Sequence, residues 1–201
     1  NGWASIYEAV EVERYDGAGT LLQYQRPSSG CLGYLLYDDG EAAIIDPLRA
    51  FTDRYLADAD DLGVDLTYAI DTHVHADHVS GVRDLDAEGV EGVIPEAAVD
   101  RGVTYADELT AAADGDAFAV GDAAIEAVHT PGHTTGMTSY LVDDGLLATG
   151  DGLFVESVAR PDLEEGDDGA PDAARTLYES LQERVLTLPD DTLIGGAHFS
   201  D

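Results

Sequence analysis

The sequence predicts one layered α/β or α+β domain built on mixed β-sheets, and three observations carry that expectation. Its 201 residues are the length of a single domain. Short apolar runs bounded by Gly, Asp and Pro recur at strand length. Two gaps between such runs read Asp-Asp-Gly, a hairpin signal, while others hold amphipathic stretches of helix length.

Residues 1–20 read as an extension, in which Trp3 and Tyr7 could cap a sheet or form an interface. Asn1 is no initiator and the single Met is Met137, so a trimmed targeting segment is compatible with the sequence. Cys31–Tyr37 and Ala42–Ile45 form a hairpin across Asp38-Asp39-Gly40. A helix follows over Phe51–Leu62, with Phe51, Tyr55, Leu56 and Leu62 on one stripe and Gly63 as its stop. Leu66–Asp71, Ala123–His129, Thr138–Val142 and Leu146–Thr149 read as strands, the last two again split by Asp-Asp-Gly. The acidic stretch 162–170 is too polar to be buried and reads as an inserted surface loop. Pro171–Leu188 is the best helix: Pro171 suits a first turn, Leu177, Leu181, Val185 and Leu188 share a face, and Pro189 ends it. Thr192–Ile194 is the last strand, and no internal repeat is visible.

The charge excludes several functions. Nine basic residues, all arginine, stand against 42 acidic ones, for a net charge of −33. Such a surface repels phosphate backbones and anionic membranes, so neither nucleic acid nor a membrane is an expected partner. No apolar run approaches the roughly 18 residues of a membrane-spanning helix. The acids are scattered among periodic apolar runs, and 44% hydrophobic residues supply a core, so the chain folds rather than stays disordered. Abundant Asp, absent Lys and few large aromatics point to the cytoplasm of an extreme halophile, where concentrated counterions relieve self-repulsion. One cysteine cannot form an internal disulfide, which fits a reducing compartment.

Chemistry concentrates in Thr72-His73-Val74-His75-Ala76-Asp77-His78. On the end of an extended strand, His73 and His75 project to the same side, and a turn into helix lets Asp77 and His78 converge on the same point. Three imidazoles and a carboxylate within six residues make a poor core and a good site for Zn, Fe or Mn. His133 follows a strand through Pro131-Gly132, Asp151 sits between Gly150 and Gly152 at another strand end, and His198 leaves the last strand through Gly195-Gly196. His129 lies within its strand and reads as a supporting or partly buried histidine rather than a ligand.

The order His-x-His-x-Asp-His, then Pro-Gly-His-Thr, then Thr-Gly-Asp, then a final His resembles the metallo-β-lactamase superfamily across essentially the whole chain. The resemblance implies a single domain over 1–201 folded as a four-layer αβ/βα sandwich, two mixed sheets with helices outside and metal at one edge. One metal would use His73, His75 and His133, and a second Asp77, His78 and His198, with Asp151 bridging. Within the superfamily, Asp71–Gly81, Ala159-Arg160-Pro161-Asp162 and the segment from Ala174 through Pro189 to His198 are similar to the persulfide dioxygenase branch. That resemblance implies a single Fe(II) on His73, His133 and Asp151, the catalytic set, leaving positions for O₂ and for the persulfide of a low-molecular-weight thiol, oxidised to sulfite. His75, Asp77, His78 and His198 would then orient ligands or water, and Arg160 would meet a substrate carboxylate.

A second branch, the glyoxalase II-like hydroxyacylglutathione hydrolases, uses the same residues for two Zn, Fe or Mn ions and a thioester substrate. That branch normally carries a C-terminal helical domain, whereas this sequence stops three residues after His198. Phe199-Ser200 stand where the family often has Asp-Tyr, and the acidic stretch around Asp167-Asp168 flanks the expected substrate pocket. A metal-binding domain without turnover would be marked by a lost ligand, and none is lost. Cys31 reads as a small buried hydrophobe rather than a persulfide carrier, Met137 as packing, and a homodimer is left open.

Overall fold

The computed structural model describes residues 7–75, 79–101, 103 and 108–199. The first sheet takes β1 (Glu8–Glu11), β2 (Thr20–Arg26), β3 (Cys31–Asp38), β4 (Glu41–Ile45), β5 (Asp65–Ile70), β6 (Glu91–Pro95) and β7 (Thr110–Ala112) in that spatial order. It is antiparallel up to β4 and parallel from β4 to β7. The second sheet is ordered β12-β11-β10-β9-β8, from β8 (Ala117–Val120), β9 (Ala123–His129), β10 (Thr138–Val142), β11 (Leu146–Gly150) and β12 (Leu193–Gly196). Only the β11–β12 pair is parallel there. Both Asp-Asp-Gly hairpins form, with Asp39 and Gly40 at φ 42° and 86° and Asp143 and Asp144 at φ 43° and 58°.

Strand alternation builds the layers. Leu32, Tyr34 and Leu36 of β3 and Ala43 and Ile45 of β4 face the second sheet, meeting Ile125, Tyr140, Val142 and Leu146 in the central core. The opposite faces of the same strands, Leu35 and Ile44, pack under α1 (Thr52–Leu62) and α2 (Val82–Ala87) through Tyr55, Val82 and Leu85. Leu141 and Leu147, on the outer face of the second sheet, pack with Val185 and Leu181 beyond α3 (Asp162–Ser180). The result is the expected sandwich of two mixed sheets between helices.

Within the segment read as an extension, β1 pairs with β2, and Tyr7 is buried, stacking on Tyr24 and Phe51. Tyr7 therefore caps the first sheet, whereas Trp3 lies outside the described residues. The acidic stretch 162–170 is helical rather than a loop, opening α3 with a break at Gly166 (φ 69°, ψ −177°). Acidic side chains in a first turn complement the partial positive charge of the helix start, so the same polarity that argued against burial favours this terminus. The helix expected over Pro171–Leu188 accordingly starts at Asp162 and closes in a π turn over Leu181–Val185.

Candidate metal centre

Four strand ends meet at one edge of the sandwich. β5 runs into Asp71-Thr72-His73, β9 into His133, β11 into Asp151 and β12 into His198. The two sheets are joined here by backbone, as Thr138 N–H donates to the Thr72 carbonyl at 2.9 Å, while within the second sheet Ala197 N–H donates to the Gly150 carbonyl at 2.8 Å and extends the β11–β12 pairing. The end of β12 turns back onto β3, where Leu32 N–H donates to the Ala197 carbonyl at 2.7 Å and Cys31 bridges to His198. Gly150 adopts φ 51°, and a Cβ there would stand 2.5 Å from both Met137 Cε and Thr72 Oγ1. Only a glycine lets β11 approach the His73 loop this closely.

His73, His133 and Asp151 converge. Asp151 Oδ2 lies 3.7 Å from His73 Nε2 and 3.8 Å from His133 Nε2, and all three donors fall within 4.8 Å of one another. Two donors bound to one ion at its usual bond lengths stand roughly 3.0–4.2 Å apart, so these separations suit a shared ion. The chemistry fits as well: two imidazoles and a carboxylate are the facial set that leaves coordination positions open.

Each donor is oriented from behind. Thr72 Oγ1 donates to the Asp46 carboxylate (2.9 and 3.0 Å) and sits 2.9 Å from His73 Nδ1, whose N–H it can then accept, leaving Nε2 to face Asp151. His133 Nδ1 donates to the Arg160 carbonyl at 3.3 Å, turning its own Nε2 the same way. Asp151 Oδ1 accepts from His198 Nδ1 at 2.6 Å. Burial and the neighbouring His75 hold the His73 imidazole down at about 3, the neutral state a ligand needs. Burial pushes the Asp151 carboxyl up, but the His198 hydrogen bond and the His73 and His133 rings outweigh it and hold it below the usual carboxylate range.

His75 takes a different place from its sequence neighbour. Its Nε2 faces Asp46 Oδ1 at 3.2 Å and Asp71 Oδ1 at 3.4 Å, in a second buried group of donors. Burial lowers its proton affinity, but Asp46 and Asp71 prevail and raise it well above the ordinary histidine value. Asp77 and His78 lie outside the described residues. His129 is half-buried with Nε2 3.1 Å from the Thr135 carbonyl, apart from the donor group. Met137 is fully buried. Cys31 is buried with Sγ 3.7 Å from His198 Nε2. The exposed Arg160 guanidinium pairs with Asp162 at 2.5 Å.

Asp46 is the residue sequence reasoning missed. It is 3% exposed, sits at φ 53°, and collects Thr72 N–H, Thr72 Oγ1 and His75 Nε2. Its one sequence signal is a carboxylate closing the apolar run Ala42–Ile45, where Asp before Pro also reads as an ordinary turn.

The chain is similar to known proteins in sequence and fold. The profile of the metallo-beta-lactamase superfamily matches residues 28–198. The Homo sapiens mitochondrial protein named persulfide dioxygenase ETHE1 is 36% identical over 189 residues, spanning 90% of this chain and 69% of its own. A hydroxyacylglutathione hydrolase of Maricaulis maris is 35% identical over 170 residues, spanning 83% of this chain and 61% of its own. The crystal structure of ETHE1 from Myxococcus xanthus superposes with a TM-score of 0.76 at 32% identity, covering 89% of this chain and 75% of that one.

Proposed function

This chain belongs to the metallo-β-lactamase superfamily, and on that premise we propose that it is an iron-dependent persulfide dioxygenase working in a salt-rich cytoplasm. Its substrate is the persulfide of a low-molecular-weight thiol. The outer sulfur leaves as sulfite, carrying oxygen from O₂ and water, and the inner sulfur stays with its organic group as the thiol. A single Fe(II), when bound, supplies the redox centre at which O₂ and the persulfide sulfur meet.

The observation that carries this reading is the division of labour in Asp151. One carboxylate oxygen faces His73 and His133, while the other is taken by His198. A carboxylate with one oxygen turned to the two rings and the other held by His198 can serve one ion as a terminal ligand. His73, His133 and Asp151 hold that ion, and His198 fixes the Asp151 plane. Thr72 and Asp46 fix the His73 tautomer, while the Arg160 carbonyl fixes that of His133. His75, Asp77 and His78 orient ligands or water around the centre.

The likeness to a hydroxyacylglutathione hydrolase supports a second reading, a thioester hydrolase with two ions in which Asp77, His78 and His198 are ligands and Asp151 bridges. One experiment separates them. Wild-type protein and Asp77→Ala are loaded anaerobically with iron and offered a thiol persulfide or a thioester, with sulfite and thiol measured. Sulfite from the persulfide, with Asp77→Ala retaining iron and most of its rate, supports the dioxygenase. Thioester hydrolysis without sulfite, abolished in Asp77→Ala, supports the hydrolase.

A further inference from the structure

We propose that Arg101 recognises a carboxylate on the thiol carrier and so sets the preference of the site between acidic and neutral carriers. The proposal deepens the dioxygenase reading and rests on it. A cavity of about 270 Å³ opens directly on the donor group, lined by His73, His133 and Asp151 together with Arg101, Leu163 and Glu164. Among the described residues that line it, Arg101 is the one arginine. Its Nη2 contacts Glu164 Oε1 at 2.5 Å, and Glu164 Oε2 accepts the Thr135 N–H at 2.6 Å. Thr135 belongs to the loop that carries His133, so the guanidinium is tied to the frame of the metal centre.

One contact leaves most of a guanidinium available. It has five N–H donors in a planar fork, and this side chain is 38% exposed. A carboxylate arriving through the cavity can meet the remaining edge while the sulfur end reaches His73, His133 and Asp151. The net charge of −33 makes such a cation decisive, because an anion approaching an uncompensated mouth would be repelled. Arg160 is placed differently: it does not line this cavity, and its guanidinium takes Asp162 through both Nε and Nη2. The neighbouring cavity of about 450 Å³ on the His198 side is bounded by Leu32, Tyr34, Phe154, Val155 and Phe199, with Glu156 as its carboxylate. An anionic carrier is disfavoured there.

The test compares the persulfides of N-acetylcysteine and of its methyl ester on wild type, Arg101→Gln, Arg101→Lys and Arg160→Gln, all loaded with iron. The quantity read is the ratio of kcat/KM for the acid over the ester. Arg101→Gln is expected to lower that ratio about tenfold, the scale of one charge-assisted contact, with Arg101→Lys in between. Equal loss on both substrates, or collapse of the ratio in Arg160→Gln instead, overturns the proposal. Binding of the two parent thiols to the zinc-loaded protein, followed by calorimetry, gives a readout independent of turnover. If wild type oxidises neither persulfide, the dioxygenase reading fails and binding alone judges Arg101. Tighter binding of the acid than of the ester, lost about tenfold in Arg101→Gln, then upholds its role, and equal binding of acid and ester overturns it.

Discussion

Asp46 accepts hydrogen bonds from Thr72 and faces His75 while being sealed from water, so its removal leaves buried donors without a partner. Asp46→Ala should destabilise the protein by about 3 kcal/mol in chemical denaturation, the scale of breaking a buried charged pair. It should also weaken metal binding at the centre about 10–100-fold in a chelator competition, because His73 loses its tautomer and orientation. Gly132 makes a second prediction. It adopts φ 137°, and a Cβ there would lie 2.4 Å from Leu177 Cα and Cβ. Gly132→Ala should cost about 3 kcal/mol and lower metal occupancy together, because α3 and the His133 loop must separate. Most of the donor group was legible in the sequence, since His73, His133, Asp151 and His198 each follow a strand signal through a turn. Asp46 and Arg101 were not. A lone carboxylate before proline, or one arginine in an irregular segment, becomes informative only when folding brings the metal loop beside it.

The elements that deliver these residues are β5, β9, β11 and β12, whose C-terminal ends open on the same edge. β11 is the clearest case: Leu146 and Ala148 fill the central core, Leu147 packs with Val185 of the π turn that follows α3, and the strand ends just before Asp151. Leu147→Ala should therefore cost about 3 kcal/mol in denaturation, as buried leucine truncations do, by loosening the contact of the second sheet with Val185. Strands with strong apolar character and Asp-Asp-Gly turns could be read directly. β7 has only three residues and β1 reads Glu-Ala-Val-Glu, so neither carries an apolar pattern long enough to register. The start of α3 was hidden for another reason. Its first turns are acidic and interrupted by Gly166, a composition shared by surface loops and by solvated helix starts.

At the scale of the whole molecule, charge sets the working conditions and the metal centre sets the reaction. With a net charge of −33, like-charge repulsion opposes the compact state, and salt screens it. Raising salt from about 0.1 M to about 1 M, which shortens the Debye length from about 10 Å to about 3 Å, should raise Tm. A rise of about 2–4 °C is expected in a thermal scan, the shift that ~1 kcal/mol produces in a chain of this size. The overall sandwich was legible because hairpins, helices and the histidine order all implied it, whereas the expectation of a salt-rich solvent rests on composition alone. The reaction is judged most directly by an oxygen electrode. Protein carrying one equivalent of Fe(II) per chain, in molar salt, is given a thiol persulfide. One O₂ consumed for each sulfite released, abolished in His133→Ala, is the predicted result. Full activity only with a second metal equivalent, or thioester hydrolysis with no O₂ uptake from any persulfide, would contradict it.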